Sequence, residues 1–160
     1  PPLFKAVASK AVARMYEFDS RHLAKMTWAC ATAGHTAPPL FKAVASKAVA
    51  RMGEFKPQDL GDIAWAYAAA NIPADALFGS ASFVQRCELL ASDFDSHELC
   101  QLHQWQLWCL EQGTGWPALP VAIQERCLAA FVHSPSTTSE LQQDVQGVLA
   151  TLATDVQEEV

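Results

Sequence analysis

The sequence predicts an all-α fold, an α-solenoid of stacked helical hairpins with a repeat of roughly 37 residues. The first observation behind this is internal identity. Residues 1–15 read PPLFKAVASKAVARM, residues 38–52 read the same fifteen letters, and units 1–37 and 38–74 agree at 23 of 37 positions. A fixed period of this length marks a repeat architecture, because one short unit cannot bury its apolar face without a stacked neighbour. The second observation is apolar spacing at helical intervals with no competing period-two strand pattern. The third is composition: 28 alanines and only 18% charged residues suit close packing of helices through small side chains.

The first helical pattern places Phe4, Ala8, Ala11 and Met15 on one stripe and Lys5, Ser9, Lys10 and Arg14 on the other side. It predicts helices over 2–16 and, in the copy, 38–53. The second pattern follows Phe18-Asp19-Ser20, where Ser20 is read as accepting a free N–H of the first turn, and the matching Pro57 fits a first helical position. Helices are predicted over 20–33 and 57–70, with Leu23, Met26, Cys30 and Ala33 as one face and Trp28 off it, so that both sides pack. A degenerate third unit has Leu77-Phe78 in place of Leu40-Phe41. FDSHEL at 94–99 matches FDSRHL at 18–23 and FKPQDL at 55–60. Its helices are predicted over 75–92 and 96–112. Glu125-Arg126-Cys127 matches Gln85-Arg86-Cys87 and predicts a further helix over 117–132. The polar stretch HSPSTTS at 133–139 reads as a linker, and Thr137 with Glu140 has the capping-box spacing for a last helix over 138–152. The expected division is a helical-repeat region over 1–132 and a separate segment over 133–160.

At 160 residues and 51% hydrophobic content the chain has material for a core, which excludes disorder along its whole length. Its longest uncharged stretch, Met26 to Phe41, is 16 residues broken by Gly34, Pro38 and Pro39, too short to span a bilayer. Five cysteines without a C-x-x-C spacing argue against a disulfide scaffold and for a reducing compartment. The sequence opens on Pro1, so a longer natural N-terminus is expected.

Charge divides the chain. Residues 1–74 hold nine Lys/Arg against five acids, a net of +4, and residues 75–160 hold two against twelve, a net of −10. Lys10 and Arg14 return as Lys47 and Arg51, so stacked units would align a cationic stripe able to follow a phosphate backbone, with Arg21 and Lys25 next to it. The plain alternative is a solvated helix face. The acidic half fits a basic protein partner or a role in solubility. His97, Cys100 and His103 share part of a helix face, but zinc sites use four ligands and no second cluster accompanies them, so no metal is expected. Trp105, Trp108 and Trp116 are able to stack bases, but Trp105 falls in line with Leu99, Leu102 and Cys109, and core packing is the favoured reading for all three, most strongly for Trp105. No phosphate-binding loop, nucleophile elbow or metal-protease motif is found. No catalytic residue and no cofactor is therefore assigned.

The segment Phe55-Lys-Pro-Gln-Asp-Leu-Gly-Asp-Ile-Ala-Trp-Ala-Tyr-Ala-Ala-Ala70 resembles the helical repeats of organellar RAP-domain proteins, the group of the Fas-activated serine/threonine kinase-like and the heptatricopeptide and octotricopeptide repeat proteins. Trp105-Gln-Leu-Trp108, the run from Leu119 to Cys127, the run from Ser139 to Leu149 and Val156-Gln-Glu-Glu-Val160 resemble, in order, the stretch leading into a RAP domain. The resemblance covers essentially the whole chain and implies that 133–160 is a linker with the first helix of a truncated RAP-like domain. The acid-bearing strands of that domain would follow Val160, so the chain as it stands is expected to be no enzyme. The resemblance further implies binding of single-stranded or ribosomal RNA in mitochondria, or alternatively plastids, in RNA processing, stability, translation or ribosome assembly. A protein-interaction scaffold of the same architecture, engaging organellar proteins through the acidic half, is the other expectation.

Overall fold

The computed structural model describes residues 2–134. These residues form eight α-helices and no strand: α1 (Pro2–Ala13), α2 (Ser20–Thr32), α3 (Pro38–Ala50), α4 (Pro57–Ala70), α5 (Asp75–Phe78), α6 (Ala81–Leu89), α7 (Ser96–Gln112) and α8 (Val121–His133). Short 3-10 turns at Met15–Glu17, Met52–Glu54 and Ala91–Asp93 follow α1, α3 and α6. The all-α class and every helix predicted before residue 134 are present; the expected helix over 138–152 and the expected second segment over 133–160 lie almost entirely outside the described residues.

Three local readings change. The single helix predicted over 75–92 is two, because the weak helix formers Gly79 and Ser80 interrupt it. The helix predicted from 117 starts at Val121, since Pro117 and Pro120 keep the approach extended, with Pro120 at ψ 143°. The cap of α2 is Asp19, whose carboxylate accepts the His22 N–H at 2.8 Å. Ser20 instead is buried and donates its hydroxyl to the Glu54 carbonyl at 3.2 Å, tying α2 to the next unit. Asp95 and Glu98 form a reciprocal capping box at the start of α7, each side chain accepting the other residue's N–H. Asn71 closes α4 in the left-handed region at φ 53°, a conformation asparagine tolerates better than most residues.

Packing runs in series. α2 lies against α4, α4 against α7 and α7 against α8, while α1 lies against α3 and α3 against α5. The predicted α3 stripe of Phe41, Ala45, Ala48 and Met52 is buried, as are Ala11 and Met15 at the end of its counterpart. On α2 the fully buried residues are Ser20, Leu23, Ala24 and Thr27; of the predicted face Leu23 is buried, Met26 and Cys30 are half-buried against the core, and Ala33 is exposed. Thr27 can sit there because its hydroxyl donates to the Leu23 and Ala24 carbonyls, leaving no unmet donor. Gly61 marks how closely α4 meets α7: a Cβ there would lie 2.5 Å from Gln101 Oε1 and 3.3 Å from Glu98 Cα.

An aromatic cluster fills the centre. The Phe78 ring lies 5.5 Å from Tyr67, 5.0 Å from Phe83, 5.2 Å from Trp105 and 5.5 Å from Trp116. Tyr67 donates its hydroxyl to the Phe41 carbonyl at 2.5 Å, which satisfies its polar end inside the core.

Candidate nucleic-acid interface

The six cationic residues singled out by sequence occupy two rows. Lys10 and Arg14 sit at the end of α1, and Lys47 and Arg51 at the equivalent end of α3; Arg21 and Lys25 lie on α2. Lys10, Arg14 and Arg21 are exposed, while Lys25, Lys47 and Arg51 are half-buried.

Arg14 and Arg51 are already engaged. Arg14 donates to Glu17, with Nε 2.9 Å from Oε2, and this contact holds the Glu17 carboxyl below its ordinary range. Arg51 donates through Nε to Glu54 at 3.0 Å and through Nη1 to the Phe18 carbonyl at 2.6 Å. Its expected position on the open solvent side is therefore corrected. Arg51 stands between α3 and the 3-10 turn at Met52–Glu54, and its guanidinium meets a carbonyl two residues ahead of α2. Later units repeat this contact: Arg86 Nε reaches the Phe55 carbonyl at 2.9 Å, and Arg126 Nη2 reaches the Phe94 carbonyl at 3.2 Å. The acceptors lie 33, 31 and 32 residues earlier in the chain, so each arginine braces an earlier segment, although Arg51 stands four residues before Phe55, Arg86 eight before Phe94, and Arg126 inside α8. The signal was visible as Arg-x-x-x-Phe at 14–18 and 51–55, but sequence gives no indication that the arginine reaches backwards.

On the other row, Lys25 Nζ lies 2.8 Å from Asp62 Oδ2, and Gln101 Nε2 donates to Asp62 Oδ1 at 3.0 Å. One buried carboxylate thus joins α2, α4 and α7. Alongside runs a second line: the Trp28 and Trp65 rings are 6.4 Å apart, Trp65 Nε1 donates to Gln104 at 3.0 Å, and Lys25 Nζ stands 5.7 Å from the Trp28 ring. Trp28 is 37% exposed. This indole ledge was not chosen from sequence, although the identity of Trp28 and Trp65 at the repeat spacing was its trace. It offers an aromatic face beside one cation, Lys25, the kind of surface on which single-stranded nucleic acids stack.

Among the described residues the salt bridges join Arg14 to Glu17, His22 to Asp19, Lys25 to Asp62 and Arg51 to Glu54. Lys10, Arg21, Lys42, Lys47 and Lys56 form none there, so the cationic surplus of this half remains available at its surface.

The other tryptophans are structural. Trp105 is 2% exposed, Trp108 donates to Asn71 Oδ1 at 2.9 Å, and Trp116 donates to Asp75 Oδ1 at 2.7 Å. Trp108 is buried and Trp116 packs against the core, in line with the favoured reading, and their hydrogen bonds tie α7 and the following loop to Asn71 and Asp75. The His103 ring packs 4.8 Å from Phe131, whereas His97 is exposed. No group of three His, Cys, Asp or Glu among the described residues is placed to hold a metal. No helix there is long and apolar enough to cross a membrane.

Burial pushes the thiols of Cys30 and Cys87 up, and those of Cys109 and Cys127 up to about 11. Since the thiolate is the nucleophile and an exposed cysteine ionises near 8.5, iodoacetamide at about pH 7.5 is expected to label Cys87, Cys109 and Cys127 at least roughly a hundredfold more slowly in the folded chain than in urea. Mass spectrometry of the labelled peptides reads this site by site. No protein-family model, no curated protein and no solved structure matches the chain.

Proposed function

We propose that the chain is a stretch of α-solenoid with a 37-residue repeat, of the organellar RAP-domain type, that binds single-stranded or ribosomal RNA without altering it covalently. Its place would be the mitochondrion or the plastid, in the processing, stability, translation or ribosomal assembly of RNA. The observation that carries this reading is the Trp28–Trp65 ledge with Lys25 beside it, on a helix that also bears the exposed Arg21, in a half of the chain with a net charge of +4. A base stacks on the exposed face of Trp28, and Arg21, Lys10 and Lys47 take phosphates; Lys25 contributes less because Asp62 shares its charge. Arg14 and Arg51 contribute least, since Glu17 and Glu54 share the charge of each.

Fluorescence anisotropy with a labelled single-stranded RNA tests it. Trp28→Ala is expected to weaken binding at least about fivefold, the lower end of what one base–aromatic stack contributes, with helicity retained. Arg21→Glu weakens it further and Lys42→Glu much less. The net charge of −10 over residues 75–160 favours a second reading, a scaffold that engages a basic protein. Absence of RNA binding at micromolar chain concentration selects that reading over the first.

A further inference from the structure

The units α1–α2 and α3–α4 share 23 of 37 residues, yet they are buried unequally. Val7 is 54% exposed while its counterpart Val44 is 0% exposed. Ala29 is exposed while Ala66 is 0% exposed, and Ala8 is half-buried while Ala45 is 4% exposed. Both units have a following neighbour, α3–α4 for the first and α5 with α7 for the second. What the second unit has in addition is a preceding one. Residues open in the first and closed in the second therefore mark the face that receives a preceding unit.

The arginine braces agree. Arg51, Arg86 and Arg126 each donate to the carbonyl of a phenylalanine in the unit before. Arg14 stands at the position equivalent to Arg51, makes the same i, i+3 contact with an acid, and reaches no main-chain carbonyl that corresponds to Phe18. It is thus a brace whose acceptor would belong to a preceding unit.

We infer that the face of α1 and α2 carrying Val7, Arg14 and Ala29 is a docking surface for a further helical hairpin of the same repeat, seated as α1–α2 is seated on α3–α4. The occupant supplies small and branched apolar side chains opposite Val7 and Ala29, and a free carbonyl at its Phe18-equivalent position for Arg14. This inference rests on the stacked-repeat part of the proposed function and is independent of RNA.

The test is a chain carrying one extra copy of residues 1–37 ahead of Pro1, so that its Ala37–Pro1 junction repeats the existing Ala37–Pro38 junction. Thermal unfolding followed by circular dichroism is expected to rise by roughly 5 °C or more over the unmodified chain. Arg14→Ala in the original unit lowers the melting temperature of the longer chain and leaves that of the unmodified chain unchanged. A longer chain that melts no higher, with Arg14→Ala neutral in both backgrounds, overturns the inference. A dimer of the unmodified chain in sedimentation equilibrium that Val7→Glu dissolves also overturns it, by giving the face to a second molecule. Arg51→Ala in the unmodified chain separates the two levels. If it lowers the melting temperature while Arg14→Ala is neutral in the longer chain, only the inference fails; if it too is neutral, the stacked-repeat reading fails with it.

Discussion

Phe78→Ala is expected to destabilise the chain by about 3–5 kcal/mol, the range for removing a buried aromatic ring and leaving a cavity. Phe78 is fully buried and its ring contacts Tyr67, Phe83, Trp105 and Trp116, which come from α4, α6, α7 and the loop after α7. Each of these neighbours also packs on another ring, so none can move into the space without giving up that contact. Native domains have only about 5–15 kcal/mol in total, so the variant sits close to the folding threshold. Urea unfolding followed by tryptophan fluorescence measures the loss; an effect below about 1 kcal/mol would mean that the ring is not central to the packing.

The second large effect is at Asp62. Its side chain is 3% exposed and holds Lys25 on one oxygen and Gln101 on the other. Lys25→Met leaves that carboxylate buried with one neutral partner, a change that costs about 3–5 kcal/mol in a fully buried pair. Lys25 itself is 42% exposed, so water replaces part of what is lost and about 2 kcal/mol is expected. The double variant Lys25→Met/Asp62→Leu removes both charges and should recover most of the loss, and the double-mutant cycle isolates the coupling. An additive cycle would show that the pair is solvent-screened and that α2 and α4 are held by apolar contacts alone.

The two effects differ in how they could be anticipated. The helices were legible because two complementary signals, the repeat and the amphipathic spacing, gave the same boundaries, and the burial of Phe41, Ala45, Ala48 and Met52 follows from that spacing. Interactions between units were not legible. Lys25 and Asp62 differ in sequence at one repeat position, and only packing of α2 on α4 turns that difference into an ion pair. Arg51 was read as a surface cation because a helical wheel describes one helix and knows nothing of the Phe18 carbonyl in the unit before. The partners of Trp108 and Trp116, Asn71 and Asp75, were not legible because they lie 37 and 41 residues away. On α2 the wheel was turned because Thr27 looks polar, although its hydroxyl is satisfied within the helix. For the candidate site, Arg21 and Lys25 were legible by charge, whereas the ledge needed two tryptophans 37 residues apart brought side by side.

If the cationic half of this chain holds a nucleic-acid backbone, its affinity for RNA depends on salt. With about three phosphates contacted, the dissociation constant for a single strand is expected to rise at least roughly tenfold between about 50 and about 200 mM salt, and Arg21→Glu should flatten the slope. A dissociation constant that does not change over that range, or a slope that Arg21→Glu leaves unaltered, would contradict the account.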